Sequence, residues 1–219
     1  MTDNRKEKER EELHKTIWKI ANDLRGSVDG WDFKQYVLGF LFYRYISENF
    51  TNWINKKEQE SGNKNCDYAK LTDEEVKSIP KEEIESIANA KGFFIFPSQL
   101  FCNVRKNTKN DENLNETLEN IFNAIEQSSK GRASENNFKG LFDDLDVNSN
   151  KLGSTVAERN KKLVKIIDNI GDMDLGDYKS NVIDAFGDAY EFLMGMYASD
   201  AGKSGGGILY TSRSFWTFS

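Results

Sequence analysis

The stretch "YVLGFLFYRYI", residues 36–46, restricts the fold more than any other, because apolar or aromatic side chains fall on nearly every side of the helix that it predicts. Such a helix has no solvent face of its own and must be enclosed by other elements. Asp29 or Asp32 is a suitable N-cap for it. We therefore expect this helix at the centre of the core. The aromatic residues expected to supply most of the buried area are Trp18, Trp31, Phe40 and Phe42.

Three other segments carry apolar residues three and four positions apart, which is typical of amphipathic helices. They are residues 6–24, 112–131 and 155–172. Their apolar stripes are Leu13, Ile17, Ile20, Ala21 and Leu24 in the first, Leu114, Leu118, Ile121, Phe122 and Ile125 in the second, and Val156, Leu163, Ile166, Ile167 and Ile170 in the third. With 2 prolines in 219 residues and few strand signals, the predicted fold class is all-α, a helical bundle.

The residues between these helices indicate loops and short elements. We expect an exposed loop at 56–70, followed by one or two short helices in 71–92. Thr72 and Glu75 form a capping-box pattern there, and Gly92 is a stop signal. The segment "FFIFPSQLF", 93–101, has the texture of a short strand or extended stretch, but its proline prevents a central strand.

Composition narrows the class of protein. Charged residues make up 30% of the chain and apolar residues 37%, which is typical of a soluble globular protein. The net charge of -6 argues against attraction of the whole surface to DNA or to a membrane, so any nucleic-acid contact must come from a local patch or a partner. The sequence shows no secretory signal and no membrane span, and Cys66 and Cys102 have no metal or redox spacing. We expect a cytoplasmic protein with reduced thiols and no membrane contact.

Two sequence features suggest a nucleotide site or a metal site, but neither has the other residues that such a site requires. The "GKS" at 202–204 invites a phosphate-loop interpretation, but Tyr197 stands where that motif needs its first glycine. The single histidine, His14, has no companion ligand in a heavily charged helix, and a solvated position is the better account. From its residues alone the chain offers no catalytic centre and no metal site.

A pattern that resembles a calcium-binding loop is also incomplete. Asp144, Asp146 and Asn148 place oxygen atoms at alternate positions, as an EF-hand loop requires. Ser149 and Thr155 stand where that loop needs glycine and glutamate. A turn rich in Asx hydrogen bonds is the preferred interpretation.

The densest basic cluster lies in the helix predicted at 155–172. Its members, the candidates for DNA contact, are Arg159, Lys161, Lys162 and Lys165. A solvated helix face is the competing interpretation of the same four residues.

Four stretches together resemble the M subunit of a type I restriction-modification DNA methyltransferase. "IWKIANDLRGSVDGWDFKQYVLGFLFYRYISE" (17–48) is similar to the opening of that family's N-terminal helical domain, and "GFFIFPSQLFCNV" (92–104) to its middle. "NFKGLFDDLDVNSNKLGSTVAERNKKL" (137–163) and "IDAFGDAYEFLMGMYASDAGKSGG" (183–206) are similar to its second half and to the junction with the methyltransferase domain. The likeness covers nearly all of residues 10–206 in the family's order.

The resemblance implies a site-specific adenine-N6 DNA methyltransferase that uses S-adenosylmethionine. In such an enzyme the target adenine leaves the stacked helix before its amine is methylated. The implied partners are a specificity (S) subunit, a second M subunit, a restriction (R) subunit in the full complex, and DNA through that complex.

The resemblance also implies a domain division. Residues 1–170 are the helical domain and 171–206 a linker, and the family's cofactor segment, G-G-E-F-[FY]-T-P, would begin after Gly205 and Gly206. From residue 207 the sequence departs from that pattern, yet synonymous codons read one base later spell E-F-Y-T-P. We therefore expect a single-base frameshift near this point, a missense and disordered tail at 207–219, and a missing Rossmann-like domain, which would leave the chain inactive alone.

An alternative function follows from the same features. A helical bundle with net negative charge is poorly suited to reading base edges and well suited to protein contacts. The alternative hypothesis is a non-catalytic interaction module that docks on the specificity subunit or on another M subunit.

Overall fold

The computed structural model describes residues 3–23 and 30–173. Within these ranges the chain forms eight α-helices, two short 3₁₀ helices and no strand. The α-helices are α1 (Asp3–Asp23), α2 (Gly30–Glu60), α3 (Asp73–Lys77), α4 (Lys81–Lys91), α5 (Phe101–Asn107), α6 (Leu114–Ser128), α7 (Glu135–Phe138) and α8 (Val156–Asp172). The 3₁₀ helices are Tyr68–Lys70 and Pro97–Gln99. The all-α prediction is confirmed for this part of the chain.

Helix α2 is the central element, as its apolar sequence predicts. Phe40, Tyr43 and Phe50 are fully buried. Tyr43 lies edge-on to Phe101 of α5 and to Phe122 of α6, with ring centroids 5.5 and 5.3 Å away. Aromatic pairs in this geometry add to the stabilisation that burial supplies. Tyr43 therefore ties α2 to two other helices at once.

A second aromatic group surrounds the later part of α2. The ring of Phe50 lies 5.7, 5.5 and 5.4 Å from the rings of Tyr68, Phe93 and Phe94, respectively. The Tyr68 hydroxyl donates a hydrogen bond of 2.7 Å to the carbonyl oxygen of Ile95. Of the stretch 93–101, predicted as a strand or extended segment, residues 93–96 form no helix, and there Phe93 and Phe94 pack on α2. Pro97–Gln99 form a 3₁₀ helix and Phe101 begins α5, so the second half of the prediction is wrong.

Helix α8 completes the core by contacting α1, α2, α5 and α6. Most of the predicted stripes are buried where the sequence places them. The buried members are Leu13, Ile17 and Ile20 of α1, Leu114, Leu118, Ile121, Phe122 and Ile125 of α6, and Leu163, Ile166, Ile167 and Ile170 of α8. Side chains of residues 21–34 lie outside the described part of the chain, and with them the predictions for Ala21, Leu24 and Trp31.

Two predicted core residues are exposed. Trp18 is 48% exposed, because it follows Ile17 by one position and so points about 100° away from the buried stripe of α1. Val156 is 38% exposed, because it is the first residue of α8 and lies outside the turns that face the core. Phe40 is buried as predicted, whereas Phe42 is only partly buried against the core.

The expected loop at 56–70 is shorter than predicted. Helix α2 continues through the first part of it to Glu60, where Lys56 and Lys57 pair with the Glu60 carboxylate at 3.9 and 3.4 Å. The turn that follows uses Gly62, whose φ of +99° is a left-handed conformation that favours glycine. The polar composition of the segment therefore did not mark the end of α2.

Local signals at helix ends are confirmed. Thr72 and Glu75 form a reciprocal capping box at α3, with the Glu75 amide 3.2 Å from the Thr72 hydroxyl and the Thr72 amide 2.6 Å from the Glu75 carboxylate. Gly92 ends α4 with a φ of +82°. The Asx turn is also present, since the Asn148 amide donates to Asp146 Oδ1 at 3.0 Å.

The predicted domain division at residue 170 falls inside α8, which ends at Asp172. Most of the predicted linker and all of the predicted tail, with the "GKS" at 202–204, lie outside the described residues. None of the described helices combines the length and the apolar character that crossing a membrane demands.

Candidate nucleic-acid interface

Helix α8 carries the predicted basic cluster on the side opposite the core. Thr155 caps its first turn through a reciprocal bond with Glu158. Lys161 and Lys165 are exposed one turn apart, and Lys162 is partly exposed. The amphipathic sequence of α8 thus separates a buried apolar side from a charged outer side.

Arg159 is the member of the cluster that the structure removes from the outer surface. Its Nη1 donates to the carbonyl oxygen of Gly153 at 3.1 Å and approaches Asn150 Oδ1 at 3.5 Å, while its Nε is buried. The side chain therefore holds the loop before α8 against the helix. Three lysines remain as candidates for phosphate contact.

Glu158, an acidic residue in the first turn of α8, already accepts hydrogen bonds. The Glu158 carboxylate accepts hydrogen bonds from the Ser154 hydroxyl and amide at 2.8 Å and from the Thr155 amide at 3.3 Å. These bonds, together with the charge of Lys162, lower the pKa of Glu158. The carboxylate is thus committed to the helix N-terminus.

Two arginines hold the other end of α8. Arg44 of α2 is largely buried, and its Nη1 donates to the carbonyl oxygens of Ile170 and Met173 at 2.6 and 2.9 Å. Its Nε lies 2.6 Å from the Glu48 carboxylate. These bonds satisfy carbonyl groups that the end of a helix leaves without partners. Sequence reasoning missed this role, because Arg44 and Met173 are 129 positions apart.

Arg105 of α5 holds the same end from the surface. It forms an ion pair with Asp172, and its Nε lies 3.5 Å from Asp168. Gly171 leaves the space for this side chain, since an added Cβ would come within 2.5 Å of the guanidinium. The described helical domain therefore ends at a turn held by α2 on one side and by α5 on the other.

A surface depression on α4 does not fit S-adenosylmethionine. It has a volume of about 530 Å³, and no aromatic side chain lines it to stack on an adenine ring. Its lining residues are Lys81, Glu82, Glu85, Ser86 and Asn89. The cofactor segment that the resemblance predicts would follow Gly205 and Gly206, outside the described residues.

The described part of the chain also holds no group of three or more His, Cys, Asp or Glu side chains placed to bind a metal ion. Partial desolvation raises the pKa of the Cys66 thiol and of the Cys102 thiol. A raised thiol pKa disfavours the thiolate that nucleophilic chemistry needs.

Comparison with known proteins agrees with this arrangement. The family described as the HsdM N-terminal domain matches residues 13–170, which is most of the chain and nearly all of α1–α8. The chain belongs to the HsdM N-terminal domain family. A second family, described as N-6 DNA Methylase, matches residues 181–218. The HsdM N-terminal domain is thus followed by a methylase segment in the same chain.

Curated relatives carry the same helical domain. The chain is 49% identical over 210 residues to the type I restriction enzyme MpnII methylase subunit of Mycoplasma pneumoniae, covering 93% of this chain and 38% of that protein. It is 24% identical over 203 residues to the type I restriction enzyme MjaIX methylase subunit of Methanocaldococcus jannaschii, covering 93% of this chain and 34% of that protein. The chain therefore spans little more than a third of the length of these relatives.

A solved structure shares the fold. The crystal structure of the type I restriction-modification system methyltransferase subunit from Streptococcus thermophilus matches with a TM-score of 0.69 and 25% sequence identity. The match covers 93% of this chain and 41% of that one. The helical HsdM N-terminal domain seen here is the arrangement found in that methyltransferase subunit.

Proposed function

We propose that this chain is the N-terminal part of the M (modification) subunit of a type I restriction-modification system. The assembled enzyme would transfer a methyl group from S-adenosylmethionine to the N6 amine of adenine in DNA. The observation that carries the proposal is the order of two matches in one chain, the HsdM N-terminal domain at 13–170 and the N-6 DNA Methylase at 181–218. The high identity to a methylase subunit supports it.

The proposed chemistry assigns the helical domain a binding role. Methylation of an adenine amine requires the base to be extruded and held by stacking and hydrogen bonds in a pocket beside the methyl donor. The depression on α4 has no aromatic side chain to stack on a base, and the charged side of α8 is suited to contact with phosphates or with a partner. We assign catalysis to the methylase segment and its continuation, and binding to α1–α8.

The proposed partners are the specificity subunit, a second M subunit and, in the full complex, the restriction subunit. Trp18 supports a protein contact on α1, because it is a large aromatic side chain that is half-exposed. Tryptophan is enriched among the residues that dominate binding energy at protein interfaces. The second candidate function, a non-catalytic docking module, rests on this same side chain.

One reconstitution tests the proposal. The 219-residue chain is combined with the specificity subunit of the same organism, and a version extended to the full length of the methylase relatives is prepared in parallel. We expect the extended version to transfer labelled methyl groups from S-adenosylmethionine to adenine N6 in DNA. We expect the 219 residues alone to bind the specificity subunit without methyl transfer.

The outcomes separate the two candidate functions. Methyl transfer by the extended version identifies the chain as part of a modification subunit. Binding to the specificity subunit by both versions with no transfer by either supports the docking module. Methyl transfer by the 219 residues unaided would overturn the assignment of catalysis to residues beyond the helical domain.

A further inference from the structure

Helix α2 carries an apolar stripe that the described part of the domain covers only in part. The members of this α2 stripe are Leu38, Phe42, Tyr45 and Trp53, all of them partly buried against the core. At 100° per residue these four positions lie within about 80° of one another on the helix. The fully buried rings of Phe40 and Tyr43 lie more than about 100° from the centre of the stripe. One side of the central helix therefore keeps apolar surface in solvent.

The α2 stripe is long and its rings are held in place. Leu38 and Trp53 are fifteen positions apart, or about 22 Å at 1.5 Å per residue. The Phe42 ring packs on that of Phe142 with centroids 6.2 Å apart, and Lys91 Nζ lies 5.8 Å from the centroid of the Trp53 ring. A fixed apolar stripe of this length is suited to binding the apolar side of another helix.

A segment with a matching pattern follows the helical domain in the sequence. Residues 183–197 lie outside the described residues, and their apolar side chains recur at spacings of three and four. The apolar positions of this spacing are Ile183, Phe186, Tyr190, Leu193 and Tyr197. The spacing predicts an amphipathic helix about 21 Å long, with Asp184, Asp188 and Glu191 on its opposite side. Its apolar side thus matches the α2 stripe in length and in character.

The start of this segment is within reach of the α2 stripe. The carbonyl oxygen of Met173 lies 2.9 Å from Arg44 Nη1, so α2 itself holds the end of the described domain. Tyr45 follows Arg44 in the chain and lies about 12 Å or less from either end of the stripe. Residues 174–182 between Met173 and Ile183 span at most about 35 Å when fully extended. The segment can therefore reach every part of the stripe.

The connection favours this segment over any other occupant. A short tether makes the contact intramolecular, at an effective concentration of about a millimolar, which neither a second copy nor another protein has at ordinary dilution. Gly187 and Gly195 lower the helix propensity of the segment, and an isolated helix of about fifteen residues is only marginally stable in water. Packing of its apolar side would supply the missing stabilisation.

We propose that residues 183–197 form a helix that docks its apolar side on the α2 stripe. The match to the N-6 DNA Methylase family begins at residue 181, so this contact fixes the start of the methylase segment on the central helix of the HsdM N-terminal domain. The inference goes beyond the proposed function, because the contact lies within the chain and needs neither cofactor nor partner.

Photocrosslinking of the 219-residue chain tests the contact. Tyr45 is replaced by the photoreactive residue p-benzoylphenylalanine, the chain is irradiated, and the crosslinked peptides are identified by mass spectrometry. We expect crosslinks from position 45 to residues within 183–197. The same replacement at Trp53 should give crosslinks to one end of that segment, and it carries the test if the replacement at Tyr45 unfolds the domain.

Two variants of the segment form a matched pair. Leu193→Glu places a carboxylate in the proposed contact without a partner, and it should lower the crosslinked product at least about tenfold. Phe192→Glu makes the same kind of change about 140° from the centre of the segment's apolar side, and it should leave most of the product. A photoreactive residue in place of Asn120, which is exposed on α6, should give no crosslink to the segment. Circular dichroism checks that each variant is folded.

Each outcome decides the proposal. Crosslinks to 183–197 that Leu193→Glu removes and Phe192→Glu retains support it. Crosslinked dimers would show that a second copy covers the α2 stripe, and crosslinks confined to other residues, or unaffected by Leu193→Glu, would equally overturn it. The reconstitution with the specificity subunit decides the proposed function separately, since methyl transfer can fail while the crosslink forms, and the reverse.

Discussion

Helices α2 and α8 both cross the core, but they divide their side chains differently. Apolar residues of α2 are buried on most of its described sides, and Arg44, whose charge is largely buried, is paired and hydrogen-bonded. In α8 one side is equally buried, whereas the other carries lysines and carboxylates in solvent. The difference teaches that α2 specifies the fold, while α8 joins the core to a charged surface in solvent. The predictions below test that division, from the largest effect to the smallest.

Among the variants compared below, removal of a buried aromatic ring from α2 should lower the free energy of unfolding most. Phe50→Ala leaves a cavity among Tyr68, Phe93 and Phe94, and it should lower the free energy of unfolding by about 3–5 kcal/mol. Chemical denaturation measures the change. Trp18→Ala on α1 is the matched control, since its ring is half-exposed and should contribute about 1 kcal/mol or less. Equal losses in the two variants would contradict the central position of α2.

The two arginines at the end of α8 should differ in the same way. Arg44→Ala leaves the carbonyl oxygens of Ile170 and Met173 and the Glu48 carboxylate without their donor, at a cost of about 2–4 kcal/mol. Arg105→Ala removes only partly exposed ion pairs, worth about 0.2–1 kcal/mol. Denaturation at low and high salt should show salt dependence for the Arg105 contribution and little for that of Arg44. A larger loss from Arg105→Ala would reverse our ranking of the two contacts.

Two glycines sharpen the comparison. An added Cβ at Gly39 of α2 would meet the buried Leu145 side chain at 2.8 Å, so Gly39→Ala should destabilise by about 1 kcal/mol despite a better helix propensity. At Gly171 of α8 the added Cβ would displace only the flexible Arg105 guanidinium. Gly171→Ala should therefore be within about 0.5 kcal/mol of the wild type and should abolish the salt dependence assigned to Arg105. Thermal denaturation of both variants provides the measurement.

The smallest expected effect depends on pH. Hydrogen bonds in the capping box lower the pKa of Glu158, so their stabilisation is present above the pKa of the unfolded chain and is lost as the pH falls through the lower folded value. Glu158→Gln should therefore be less stable than the wild type near pH 7, and the difference should shrink in strongly acidic solution. Urea denaturation across this range tests the sign. A difference that grew with acidity would show that the carboxylate is not what stabilises the turn.

Periodicity in the sequence was enough to locate the main helices. The stripes beginning at Leu13, Leu114 and Leu163 are buried because spacings of three and four place their side chains on one side of any α-helix, whatever surrounds it. The same holds for the Thr72 capping box and the Gly92 stop, which need only neighbouring residues. The family could also be recognised from the sequence, because the motifs that carry the resemblance are continuous in the chain.

Single positions near the edge of a stripe were not predictable in this way. Trp18 was expected in the core because it is large and apolar, but its angle on α1 turns it toward solvent. Arg159 was a candidate for DNA contact or for a solvated helix face because it stands among lysines, and in the structure it holds the loop at Gly153. In both cases the packing of neighbouring elements decides where the side chain lies. The hydrophobicity or charge of the residue alone does not identify those elements.

By itself the sequence determined that this chain is helical, that α2 is enclosed, and that it belongs with type I methylase subunits, since each of these depends on local order along the chain. Only the tertiary structure decided that Arg44 and Arg105 hold the end of α8 and that Arg159 holds the loop before it. The physical reason is that Arg44 is brought to Met173, and Asn160 to the carbonyl oxygen of Glu112, by packing between helices. Contacts between residues so far apart leave no periodic signal in the sequence.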